Sequence, residues 1–159
     1  MSANFESERE VHAMSETNQI NEILNEVSLF AGCAPEALTA MAEAAHTHEY
    51  PKGQVIYENG DQALDMYVLL HGLVSFNTAS GVGHLYVEKL MKRHMIFGWA
   101  ALIPEHPRRL GSAVCMEPCS VLSINGDRAM EILSEHPQSG FIIMKRLCSM
   151  IANTFIEKK

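Results

Sequence analysis

From residue 47 onward the chain abandons helical periodicity for a two-residue alternation cut every few residues by glycine turns, which restricts it to an antiparallel roll or barrel flanked by helices. Apolar β-rich runs around Val55 and Tyr57 and then over 66–70 are separated by Lys52-Gly53, Asn59-Gly60-Asp61 and His71-Gly72. The pattern continues through 73–76, a turn at 79–83 and 84–91, is interrupted at Gly98, and resumes over 110–124. Strands this short, joined by tight turns, pair antiparallel, and about eight of them are expected. Ahead of the roll, Ile20, Ile23, Leu24 and Val27 recur at helical spacing, 29–32 breaks the pattern, and Pro35 starts a second helix. Behind it, Asn125-Gly126-Asp127 caps a helix reaching Glu135, Pro137 punctuates, and a longer helix follows.

The expected class is therefore α+β, mainly β: an antiparallel double-stranded β-helix, or jelly roll, of cupin-like form with N-terminal helices and a long C-terminal helix. Residues 1–16 are polar, acidic and aperiodic and are expected as a flexible tail. Residues 17–159 form the domain, with helices over 18–46, the roll over 47–125 and the C-terminal helices over 126–157.

At 159 residues the chain is one domain's worth. A formal charge of −7 without a basic stripe excludes direct, sequence-independent nucleic-acid binding, which needs Lys and Arg against phosphates. The longest apolar runs, 66–70 and 141–144, are too short to span a bilayer, and the N-terminus has no apolar signal core. A cytoplasmic protein without membrane association is expected. The four cysteines have apolar neighbours and read as buried reduced thiols. Cys115 and Cys119 lack a second Cys or His pair at zinc spacing.

Chemistry concentrates in 96–113. Gly98 opens a single apolar helical turn, Pro104 and Pro107 close it, and Arg108 and Arg109 follow at the start of a strand-like run. Backbone N–H groups and a nearby guanidinium in that order can converge on one phosphate or carboxylate. Trp99, however, occupies the position where a polar ligand contact would be most useful.

The order of helices, glycine-punctuated roll and closing helix resembles the cyclic-nucleotide-binding domain, the sensor module of catabolite-activator-like regulators, kinase regulatory subunits and gated channels. The resemblance covers roughly 20–155. Its first motif reads Ile56-Tyr57-Glu58-Asn59-Gly60-Asp61-Gln62-Ala63-Leu64-Asp65-Met66-Tyr67-Val68-Leu69-Leu70-His71-Gly72, departing only where Tyr57 stands for a small aliphatic residue. Gly53, Gly60 and Gly72 fall on the family's turn glycines.

The second motif, the phosphate-binding cassette, survives in part. Gly98 matches, Ala101 and Leu102 match the small and apolar positions, and strand register places Arg109 on the phosphate-binding arginine, with Arg108 as the fallback. The ribose-binding glutamate is replaced by Trp99, and the hydroxylated residue after the arginine by Leu110. The ligand-binding residues that the resemblance implies are Phe97, Gly98, Trp99, Ala100, Ala101, Arg108, Arg109 and Leu110. Losing the carboxylate alone weakens a cyclic nucleotide roughly tenfold to a hundredfold. Two roles for Trp99 stand open: packing into the roll to plug a vestigial pocket, or forming a stacking wall for a different anionic ligand with a flat or apolar part.

On the closing helix, Phe141, Met144, Cys148, Ile151 and Phe155 follow the spacing of a coiled-coil seam, while Ile143, Leu147 and Met150 make a second apolar stripe. One stripe packs on the domain, so the other either packs deeper against the N-terminal helices or forms a subunit contact; a parallel homodimer is expected, as the resemblance also implies. In that family the same helix lids the ligand, which puts Lys145, Arg146 or Cys148 toward the pocket. His46-Thr47-His48-Glu49 superficially suggests a cupin metal cluster, but it sits between the second helix and the first strand without a third ligand. His71, His84, His94, His106 and His136 scatter over turns and strand ends and read as solvated.

The sequence supports a non-catalytic regulatory sensor with no catalytic residues, no metal and no cofactor. Its expected partners are a cyclic nucleotide or other small anionic ligand, a second copy through the C-terminal helix, and a protein that receives the signal. No helix-turn-helix follows the long helix before Lys158-Lys159, so no output domain is expected within the sequence. The alternatives are a ligand-free structural or protein-interaction module and a small cupin-like metalloenzyme.

Overall fold

The computed structural model describes residues 2–78, 88–105 and 108–156. The expected turn at 79–83, the strand residues 84–87, His106, Pro107, the Phe155 side chain and the two final lysines lie outside the described residues. Helix α1 (Ser2–Glu26) leads through a 3-10 turn, η1 (Ser28–Phe30), to α2 (Pro35–Ala44). Strands β1 (Ala45–Tyr50), β2 (Val55–Tyr57), β3 (Asp65–His71), β4 (Val74–Thr78), β5 (Glu88–Met91) and β6 (Ile96–Phe97) follow. A second 3-10 turn, η2 (Trp99–Leu102), precedes β7 (Gly111–Cys115), β8 (Cys119–Asn125), α3 (Gly126–Glu135) and α4 (Pro137–Ile156).

The strands form two antiparallel four-stranded sheets, ordered β1-β8-β3-β6 and β2-β7-β4-β5. The jelly-roll expectation is met, with the helices against one sheet. The two central strands of that sheet are buried on both faces, which is why they read as continuous apolar runs rather than alternating ones. From β3, Met66, Val68 and Leu70 face the helices, and so do Leu122 and Ile124 of β8. Tyr67, Leu69, Cys119 and Val121 fill the interior of the roll. Leu24, Phe30, Met41, Ile132 and Ile143 bring the helices onto the first core. The turn glycines Gly53, Gly60 and Gly72 all take positive φ.

The N-terminus corrects one expectation. Residues 2–16, read as a loose tail, continue α1, although Phe5, Val11 and Met14 are exposed and meet no core. The packed half of the helix, held by Ile20 and Leu24, supplies a nucleus, and extending a helix costs far less than starting one. A second correction concerns the cysteines: Cys33, Cys115 and Cys119 are buried as expected, but Cys148 is exposed on α4.

At the junction of roll and C-terminal helices, Asn125 caps α3 by accepting the Arg128 N–H at 3.0 Å. Gly126, the first residue of α3, packs so tightly on η2 that a Cβ there would lie 2.1 Å from the Ala101 carbonyl oxygen.

Candidate ligand site

Strand β6 pairs with β3 through Ile96 opposite Val68 and Phe97 opposite Tyr67, and the chain then turns at Gly98 with φ +72°. A side chain at Gly98 would be strained by that φ and would meet the Tyr67 ring at 2.9 Å and the Arg109 guanidinium at 3.0 Å. The glycine thus lets the guanidinium approach the backbone. Arg109 is 4% exposed. It donates to the Gly98 carbonyl at 2.8 Å and the Asp65 carbonyl at 2.6 Å. Its Cζ lies 4.2 Å from the centre of the Tyr57 ring and 5.8 Å from that of Tyr67. Tyr67 and Phe97 continue the stack at 5.2 Å. The backbone on both sides of the arginine is pinned, with Arg109 N–H donating to Asp61 at 2.7 Å and Gly60 N–H to Arg109 at 2.9 Å.

Burial governs the electrostatics here. It lowers the proton affinity of the Arg109 guanidinium and raises both phenols, with Tyr57 pushed up to about 12 against the pull of Arg109. The space left between Arg109, Tyr57, Phe76, Trp99 and Leu110 is about 20 Å³. That is room for about one water, which needs some 10–15 Å³.

A larger cavity of about 240 Å³ opens on the other side of Trp99. Its walls come from Ser28 and Leu29 of η1, Phe76 of β4, Lys89 and Met91 of β5, the 94–99 segment, and Met150 and Thr154 of α4. His94 stands at this cavity with φ +66°, its Nδ1 3.5 Å from the Glu26 carboxylate. Beyond lies a surface cavity of about 520 Å³ that shares Ser28, Leu29, Lys89 and Met150 and adds Lys145, Arg146, Ser149 and Asn153. Arg146 reaches from α4 to η1, donating to the carbonyls of Ser28 at 3.2 Å, Leu29 at 3.1 Å and Ala31.

Of the residues expected at a ligand site, Phe97, Gly98 and Trp99 line the larger cavity. Ala100, Arg109 and Leu110 line the small one, Arg109 facing inward and Leu110 about half exposed. Ala101 and Arg108 line neither: Ala101 turns its carbonyl to Gly126, and the exposed Arg108 donates to Gly60 at 3.2 Å. Trp99 is half-buried against the helical core and lines both cavities.

On α4, Lys145 and Arg146 face the outer cavity and Cys148 does not. The expectation that His94 is solvated gives way to a half-buried residue paired with Glu26. The only signal of Leu29, Met91 and Met95 was apolarity, which core residues share, and the lone hydroxyl of Ser28 belongs to no pattern. His48 donates to or accepts from Ser123 Oγ at 2.8 Å, and no cluster of three His, Cys, Asp or Glu side chains occurs among the described residues. Cys119 Sγ donates to Glu117 and Leu73 carbonyls, while burial and Cys119 push the Cys115 thiol up to about 12. No helix among the described residues is long and apolar enough to cross a membrane.

Comparison with known proteins places this geometry in context. The model of the cyclic nucleotide-binding domain matches residues 47–136. The chain is 20% identical over 135 residues to a CRP-like cAMP-activated global transcriptional regulator of Mycobacterium tuberculosis, covering 85% of this chain and 60% of the regulator. The curated relatives it matches first are thus substantially longer than the segment they share with it. Among solved structures, a protein from Geobacter metallireducens described as cyclic nucleotide-binding superposes with a TM-score of 0.71 at 26% identity, over 84% of this chain and 96% of that one. The sensor domain of the transcriptional regulator DNR from Pseudomonas aeruginosa has the same fold, with a TM-score of 0.73 at 16% identity over 90% and 95% of the two chains.

Proposed function

The chain belongs to the cyclic nucleotide-binding domain family, and on that footing we propose that it is a non-catalytic regulatory sensor whose ligand is not an ordinary cyclic nucleotide. The observation that carries this reading is the shared wall of the larger cavity. Phe97, Gly98 and Trp99 form one side of it, and Met150 and Thr154 of α4 form another. A molecule seated there touches the cassette and the C-terminal helix together, so its binding energy differs between two positions of α4. Such a difference is what a ligand needs to shift a conformational equilibrium.

Three features argue against cyclic AMP or cyclic GMP in the usual pose. Arg109 turns both terminal nitrogens to backbone carbonyls beneath Tyr57, which leaves only its buried Nε–H without a partner among the described residues. The space beside it is about 20 Å³. Trp99 and Leu110 stand where a ribose carboxylate and a hydroxyl would be wanted. Signalling through a dimer of α4 is supported by the exposed Phe141 and Cys148 on its outer face.

The test is a thermal-shift screen of cyclic nucleotides, cyclic dinucleotides and small apolar carboxylates, followed by hydrogen exchange over α4 for every compound that stabilises the fold. A ligand at a hundred times its dissociation constant adds roughly 2.7 kcal/mol, several degrees for a domain of this size. Stabilising compounds are expected to change exchange within 144–156. Stabilisation without any change there overturns the sensor reading, and silence across the whole screen favours a ligand-free interaction module.

A further inference from the structure

We propose that the larger cavity binds a small aromatic carboxylate with a two-ring apolar body, seated against Trp99 and held by the Lys89 ammonium instead of Arg109. This rests on the sensor reading in one respect: it takes the cavity between Trp99 and α4 as the ligand site.

Size comes first. An apolar protein cavity of roughly 150 Å³ admits benzene, so one of about 240 Å³ accommodates two fused rings. The lining is suited to such a body. Leu29, Phe97 and Trp99 offer flat or branched apolar walls, and Met91, Met95 and Met150 bring unbranched thioethers that adjust to a ring edge. Ser28, Tyr57, His94 and Thr154 add polar groups at separate points of the wall, and each buried polar group of a ligand left unpaired lowers affinity roughly fivefold to a hundredfold.

Charge follows. Three cationic side chains and one histidine stand around the two cavities, and all but one are occupied or distant. Arg146 is committed to three η1 carbonyls, His94 pairs with Glu26, and Lys145 faces only the outer cavity, with its ammonium over the Phe141 ring at 5.3 Å. Lys89 lines both cavities, is half-buried, and has no acidic partner among the described residues. It therefore stands at the boundary where the apolar space meets water, the place for one carboxylate on an otherwise apolar molecule.

The experiment uses 2-naphthoate as the probe and 2-naphthamide as its uncharged counterpart, titrated calorimetrically into the full chain. A parallel readout is quenching of Trp99, the chain's single tryptophan, by energy transfer to the naphthalene ring. One molecule per chain is expected, with naphthoate bound roughly tenfold or more tightly than naphthamide. Lys89→Gln should remove that preference while leaving naphthamide unchanged. Met150→Trp, at a half-buried helix position, should fill the cavity and abolish both.

Absence of naphthoate binding at millimolar concentration overturns the proposal, as does binding that survives Met150→Trp or a charge preference that survives Lys89→Gln. Failure here and failure of the sensor reading are separable. Naphthoate binding that leaves α4 exchange unchanged sustains the ligand class and defeats the sensor, whereas another compound that moves α4 without naphthoate binding does the reverse.

Discussion

Arg109 is built into the fold. Its two hydrogen bonds to the Gly98 and Asp65 carbonyls join the cassette turn to the start of β3, beneath an aromatic ring. Arg109→Met keeps the volume but strands both carbonyls, and is expected to lower unfolding stability by about 3 kcal/mol in denaturant titration. An arginine reserved for a ligand would show no such loss on substitution. Tyr57 carries a second prediction. Its phenol titrates near 10 when unfolded and at about 12 when folded, so folding favours the protonated form. Below pH 10 both states are protonated and its contribution is complete. Between pH 10 and 12 the unfolded state loses the proton first, and stability falls by about 2–3 kcal/mol. Tyr57→Phe should make that decline shallower in denaturant midpoints compared at pH 9 and 11.5, the remainder coming from Cys115, Cys33, Tyr50 and Tyr67, which shift the same way.

At the level of elements, η1 and α4 are joined by apolar packing and by the hydrogen bonds of one side chain. The Arg146 guanidinium satisfies carbonyls at the end of a three-residue turn that has no following turn to do so. Arg146→Ala is expected to cost about 1–2 kcal/mol, discounted for its partial exposure, and to speed hydrogen exchange at Ala31 and Cys33 before the roll is affected. Unchanged exchange there would mean that apolar packing alone holds the turn. Much of the element map was legible in the sequence. The glycine turns and the change of period located the strands, because those signals are local. The helical state of 2–16 was not, since it depends on a nucleus at Ile20 and Leu24 rather than on any face of its own. For the candidate site, the resemblance brought Gly98 and Arg109 together, as the structure does, but the inward turn of Arg109 could not be read. That depends on where the β3 backbone presents the Asp65 carbonyl, 44 residues away in sequence.

For the whole molecule, the face that α4 leaves uncovered bears on assembly. Ile143 and Leu147 are buried against the domain, while Phe141 and Cys148 point away from it. A parallel two-fold pair along that face sets each Cys148 opposite its own copy. Mild oxidation with copper phenanthroline should therefore yield a disulfide-linked dimer that Cys148→Ser abolishes. A chain that scatters light as a monomer and resists cross-linking would refute the pairing. The contact of Gly126 with Ala101 constrains how such a molecule can move. Because not even a methyl group fits between them, the cassette turn cannot slide along α3; it must carry the helix with it, as the short arm of a lever carries the long one. The give then falls at His136 and Pro137, where α3 ends in a non-helical residue (φ −126°, ψ 71°) and α4 begins on a residue with no N–H to bind it to the preceding turn. Displacements of an ångström at the turn would be read out there as a change of angle, magnified along the twenty residues of α4.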